Sequence, residues 1–201
     1  MSRHAAYVFD LDGVVRDFAP GSADGAIEKA LGLPAGSVAA TAFRDDLVAP
    51  TITGLQSFEQ WYHAICTELE QVVADPGQVR HEMQGWRAHR GTPIRETVER
   101  LTSLRAAGRR TYVFTNGTDH VPTELDLLGV SELFHGVLNS ADFGVAKPDP
   151  GAYAAAHRSI ELDLARFVAG PEVWFTDDRV ANVEAARDFG WHAELFLPTS
   201  T

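Results

Sequence analysis

The sequence predicts a doubly wound α/β fold with a mainly parallel sheet and a helical insert. Short apolar, β-rich runs recur along the chain, most of them apolar on both faces as strands of a covered parallel sheet are. Helix-like segments lie between these runs, and alternation of this kind builds a parallel sheet. A single strand-free stretch, residues 19–90, interrupts the pattern after the first run.

The first run, "AYVFD" (6–10), leads into "YVFDLDGVV", where Asp10 and Asp12 stand one residue apart ahead of Gly13. Two like charges so close repel unless something positive lies between them. A solvated turn would also hold them, so the pair alone decides nothing. The insert follows, with helix-like "SADGAIEKALGL", "AGSVAATAFRDD", "SFEQWYHAICTELEQVV" and "PGQVRHEMQGWRAH" separated by Pro34, Pro50, Gly54 and Pro76–Gly77. "PIRETVERLTSLRAAG" then predicts a helix, with Pro93 near its start, Ile94, Val98, Leu101 and Leu104 on one face, and Gly108 as its stop.

The second clear strand is "TYVFTN" (111–116), and "GVLNS" (136–140) is a weaker one. "PDPGAYAAAHRSI" reads as a helix, "EVWFTD" (172–177) as a strand, and "DRVANVEAARDFG" as a helix closing on Gly190. "HAELF" (192–196) is the last strand, and the terminal "LPTST" reads as a frayed tail. No internal repeat or low-complexity tract interrupts this order.

A chain of 201 residues can hold a core domain with a small appended one. Its 45% hydrophobic and 22% charged content is that of a folded globular protein. The net charge of −11 argues against broad nucleic-acid binding and against an anionic membrane surface. An anionic small substrate stays open, because a site can be locally positive or metal-loaded. Cys66 is the only cysteine, which excludes an intrachain disulfide and a cysteine-based zinc site. The start "MSRHAAYVFD" has no long apolar signal region, and no span reaches transmembrane length. A cytoplasmic enzyme or binding protein is the expectation.

In an open α/β sheet the carboxyl ends of the strands form the ligand crevice. Asp10 ends the first predicted strand, Thr115 and Asn116 the second, and Asp177 and Asp178 follow "EVWF". Lys147 lies in "GVAKPDP", held out of a helix by Pro148 and Pro150, and is one of only two lysines, with Lys29. One rim would therefore carry four carboxylates, a hydroxyl, an amide and an ammonium.

At these residues the chain resembles the haloacid dehalogenase-like superfamily. "DLDGV", "FTNG", "AKPDP" and "FTDD" match its four motifs in order, over residues 5–15 and roughly 93–196. The resemblance implies a Rossmann-like core (residues 1–18 and 91–201) and a small α-helical cap (19–90). It also implies a phosphatase acting on a small phosphorylated metabolite through an aspartyl-phosphate. Asp10 would be the nucleophile, and Asp12 the acid for the leaving group and then the base for water. Mg²⁺ would be held by Asp10, the Asp12 carbonyl and Asp178, with Asp177 as a further ligand or supporting partner. Thr115, Asn116 and Lys147 would bind the phosphoryl group or orient it. Dehalogenase members lack the second aspartate, so Asp12 favours phosphate esters. "FTDDRVANVEAARDFGWHAELF" resembles the branch that hydrolyses sugar phosphates and similar monoesters.

Other readings stand beside this one. A β-phosphoglucomutase-type mutase shares "DLDGV", and a catalytically idle binding protein could keep the fold. A phosphonate hydrolase would need a cap lysine, for which only Lys29 is available. Asp177–Asp178 could cap the following helix, and Asn182 could orient an acid or be a plain surface amide. Trp61, Tyr62, Ile65 and Leu69 have the spacing of a helical core face, Cys66 reads as a buried small residue, and His63, His81 and His89 as exposed or structural. Arg16 and Asp17, next to the first motif, are candidate substrate contacts. Arg44 with Asp45 and Asp46 is a weaker one, since a solvated helix end accounts for it equally well.

Overall fold

The computed structural model of the chain describes residues 4–18 and 23–197. Strand β1 (Ala6–Phe9) sends Ala6 and Val8 to one face of the sheet and Tyr7 and Phe9 to the other, and all four are buried. The chain then turns at Gly13, φ 83°, and enters the two-residue strand β2 (Arg16–Asp17). This pairs antiparallel with β3 (Thr92–Pro93), Arg16 opposite Pro93 and Asp17 opposite Thr92. The sequence pattern shows no trace of this ribbon, because two residues are too few for any period to register.

Between the halves of the ribbon lie α1 (Ala23–Leu31), α2 (Ser37–Ala42), α3 (Asp45–Ile52), α4 (Phe58–Glu70) and α5 (Pro76–Ala88). They enclose their own apolar cluster, in which Trp61, Tyr62, Ile65, Cys66 and Leu69 of α4 meet Ile27, Val38 and Met83. Two of the starts are capped as helix ends require: a Ser57–Gln60 capping box opens α4, and Asp75 accepts from Gly77 ahead of α5. Pro50 lies inside α3 instead of separating two helices. The proline removes one i→i−4 donor and its ring crowds the Asp46 carbonyl, and the helix ends two residues later at Ile52.

The remaining elements are α6 (Arg95–Ala106), β4 (Arg110–Thr115), α7 (Val121–Leu127), β5 (Gly136–Asn139), α8 (Ser140–Phe143), α9 (Pro150–Leu164), β6 (Val173–Asp177), α10 (Val180–Phe189) and β7 (His192–Leu195). The helix expected from Pro148 starts at Pro150, because the Asp149 side chain accepts from Gly151 N at 2.7 Å and caps it there. Among the described residues the main sheet has five strands, all parallel, in the order β5–β4–β1–β6–β7. One face is covered by α9 and α10 through Tyr153, Ile160, Val183 and Ala186. The other is covered by α6 and α7 through Leu101, Val121 and Leu125.

The chain runs outward from β1 through β4 to β5, then crosses to β6 on the other side. The carboxyl ends of β1 and β6 therefore flank the point where the strand order reverses. No described helix is long and apolar enough to cross a membrane. The tail expected at the carboxyl end lies outside the described residues from 198 onwards.

Candidate active site at the strand ends

Asp10 follows β1, its N–H donating to the Thr176 carbonyl of β6 at 2.9 Å. Its neighbour in space is Lys147, from the loop before α9. The ammonium has three hydrogens and meets three acceptors: Asp10 Oδ1 at 2.6 Å, Asp177 Oδ2 at 2.8 Å and the Phe114 carbonyl at 2.8 Å. The rings of Phe114 and Phe175 lie 4.9 and 5.3 Å from it. The Lys147 side chain is 1% exposed. Burial works against its charge, but Asp10 and Asp177 outweigh that and lift it above the ordinary lysine value. Burial pushes the Asp10 carboxyl up to about 7, with Lys147 pulling it back and Asp177 adding to the rise.

Asp177 and Asp178 differ sharply in what they touch. Asp177 is fully buried and nearly saturated: Oδ1 accepts from Arg179 N at 2.9 Å, Oδ2 from Lys147, and both oxygens from Asn182 Nδ2 at 3.0 Å. Asn182 is thus an orienting amide. The Arg179 bond closes a local turn, and α10 begins after it with no side-chain cap. Asp178 is exposed, and its carboxylate occupies the space beside Gly13, where a Cβ would lie 2.4 Å from Oδ2. Burial, then the charge of Asp177, raises the Asp178 carboxyl above its ordinary value.

Asp10, Asp177 and Asp178 each offer one oxygen within 4.8 Å of the others. Three carboxylates at that separation are a hard oxygen donor set that suits a divalent cation such as Mg²⁺. A cation there would also offset the repulsion that Lys147 alone must balance.

Asn116 faces Lys147 rather than open space: its Nδ2 donates to the Lys147 carbonyl and its Oδ1 accepts from Lys147 N, both at 2.8 Å. Thr115 is buried at the end of β4, between Phe114 and Asn116, which both bind Lys147. Asp12 has a half-exposed side chain, bonded through Oδ1 to Arg16 Nε at 2.6 Å. Arg16, expected against substrate, is buried; its NH1 reaches Glu124 Oε2 of α7 at 2.7 Å. Burial works against the guanidinium, but Asp12 and Glu124 hold its charge. Asp17 is exposed in the ribbon, and Arg44 pairs with Asp46 and Glu68 on the outside of the insert.

Sequence reasoning missed the residues that join the insert to the sheet. Asp119, in the loop after β4, accepts from Phe58 N at 2.7 Å and satisfies a free amide at the start of α4. The His120 ring stacks on Phe58 at 4.9 Å, and Gly54 passes so close to Ala141 that a Cβ would lie 2.2 Å from its carbonyl oxygen. Arg90, at the end of the insert, lies over Phe58 at 5.9 Å and has Nε 3.9 Å from Glu124. None of these carries a local motif.

The family model for haloacid dehalogenase-like hydrolases matches residues 4–190. No curated protein matches in sequence. Among solved structures, a HAD family enzyme from Bacteroides thetaiotaomicron, in complex with magnesium and inorganic phosphate, is 15% identical. The match covers 98% of this chain and 96% of that one, with a TM-score of 0.71. A predicted HAD-like family hydrolase from Porphyromonas gingivalis is 22% identical over 99% of this chain and 94% of that one, with a TM-score of 0.66. The L-2-haloacid dehalogenase from Xanthobacter autotrophicus, with chloropropionic acid covalently bound, is 21% identical over 94% and 76%, with a TM-score of 0.63. At these identities the likeness is one of fold.

Proposed function

The chain belongs to the haloacid dehalogenase-like hydrolases, and from that premise we propose that it is a Mg²⁺-dependent phosphatase acting on a small phosphorylated metabolite. The observation that carries the reading is the pairing of a buried, lysine-bound carboxylate, Asp10, with a half-exposed one, Asp12, two residues on. Attack on carbon with halide departure needs no acid, whereas departure of an alkoxide from phosphorus does.

Lys147 holds one oxygen of Asp10 and leaves the other to attack. That oxygen bonds to phosphorus as the ester P–O bond breaks, and Asp12 gives its proton to the departing alkoxide. Asp12 then takes a proton from water, which attacks the aspartyl-phosphate, frees inorganic phosphate and restores the Asp10 carboxylate. Asp10, Asp178 and the main-chain carbonyl of Asp12 would hold Mg²⁺, with Asp177 behind them, since its oxygens are already engaged. The cation would supply positive charge between the carboxylate and the phosphoryl group. Thr115 would donate to a phosphoryl oxygen. Asn116 would act through Lys147, whose main chain it clamps from both sides.

The test is hydrolysis of p-nitrophenyl phosphate with and without Mg²⁺, followed by a panel of phosphorylated metabolites. Activity should need the metal and vanish in Asp10→Asn. A protein inert to the whole panel, or an Asp10→Asn variant as active as wild type, sinks the proposal.

A further inference from the structure

Resting on that phosphatase reading, we infer that Arg16 is the positioning residue for Asp12, fixing its carboxylate for proton transfer, and that Glu124 anchors Arg16. The Asp12 side chain is 53% exposed, so packing does not hold its rotamer. Arg16 Nε holds it at 2.6 Å. The guanidinium itself is 7% exposed and is tied at its other end to Glu124, 11% exposed on α7. Because the guanidinium is planar, fixing NH1 on Glu124 also fixes the direction in which Nε donates.

The backbone of the same loop is equally constrained. Gly13 N donates to the Arg16 carbonyl at 2.8 Å, and Arg16 N to the Leu11 carbonyl at 3.0 Å. If Asp12 swings away it therefore loses its bond to Arg16, unless the bonds holding the loop and the guanidinium also break. Glu124 also faces Arg90 at the exit of the insert, Nε to Oε1 3.9 Å, and Arg90 lies over Phe58 of α4. The anchor thus stands where insert and sheet meet.

The alternative is a plain strap, with Arg16 only tying the ribbon to α7. Its loss would then lower turnover of every substrate alike. A positioning role predicts a loss that grows as the leaving group worsens.

The test compares kcat/KM for p-nitrophenyl phosphate and phenyl phosphate, which differ in leaving-group acidity and little in shape, in the Mg²⁺-loaded protein. The variants are Asp12→Ala, Arg16→Met, Arg16→Lys and the double Arg16→Met/Glu124→Met. The double variant removes Arg16 and Glu124 together, so neither is stranded by the other's loss if the single change fails to fold, while Arg90 loses its carboxylate neighbour and keeps its bond to the His89 carbonyl. Arg16→Met and the double variant should lose about tenfold or more on phenyl phosphate relative to p-nitrophenyl phosphate, in the direction of Asp12→Ala. Arg16→Lys, which cannot bridge two carboxylates with fixed geometry, should recover only part of that difference. Equal losses on both esters in the Arg16 variants, with Asp12→Ala still discriminating, overturn the inference and leave the phosphatase reading intact. A wild-type protein that hydrolyses neither ester overturns the reading, and the inference with it.

Discussion

Lys147 spends all three of its hydrogens on buried acceptors, two of them carboxylates. In Lys147→Met the chain length is kept but Asp10 and Asp177 face each other unpaired, out of water. Breaking a buried pair in this way costs about 3–5 kcal/mol, to be read from the urea midpoint of the metal-free protein. A shift below about 1 kcal/mol would mean that water reaches the pair or that Asp10 takes up a proton in place of the ammonium. Gly13 is constrained twice, by φ 83° and by the Asp178 carboxylate standing where a side chain would begin. Gly13→Ala should displace Asp178 and weaken Mg²⁺ binding about tenfold or more by calorimetry, and unchanged affinity would mean that Asp178 is not a ligand. The types of these residues are legible in the sequence, since "DLDGV" and "FTDD" name them. That Asp177 is the tied acid and Asp178 the open one is not legible, because the two are neighbours with identical side chains. Only the sheet decides which one faces Lys147.

Elements were readable in proportion to their length. Strands β1, β4 and β6 are apolar on both faces and bounded by polar residues, so their ends fall within a residue of expectation. α7 spans seven residues and α8 four, too short for a helical period to be counted, although Pro122 and Gly129 punctuate α7. Those short pieces carry much of the contact with the insert: Glu124 lies on α7, Asp119 and His120 just before it, and Ala141 on α8. Asp119 caps the first amide of α4 across that junction. Asp119→Ala should free this end of the helix, speeding hydrogen exchange at the Phe58 amide by about fivefold, as the loss of about 1 kcal/mol implies. If exchange at Phe58 stays unchanged while α4 remains folded, the junction does not depend on that bond.

For the whole molecule, the site sets a stability trend with pH. The Asp10 carboxyl is raised from 3.8 to about 7, chiefly by burial. Between those values the folded chain keeps a proton that the unfolded chain has lost. Its contribution is full below 3.8 and is lost as pH rises through about 7. The metal-free protein should therefore melt at a lower temperature at pH 8 than at pH 5.5. Mg²⁺ competes with that proton, so it should raise the melting temperature more at pH 8 than at pH 5.5. Equal Mg²⁺ stabilisation at both values would mean that Asp10 does not bind the cation. By itself, the sequence determined the alternation of strands and helices, the helical insert, and which functional groups stand at the strand ends. All of these follow from periods and motifs that span a few residues. The tertiary structure decided the pairings: Lys147 with Asp10 across 137 positions, and Arg16 with Glu124 across 108. It also turned the Arg16 side chain inward, onto Asp12 and Glu124. These outcomes depend on strand order and burial, which bring distant side chains within bonding distance and leave no local pattern in the chain.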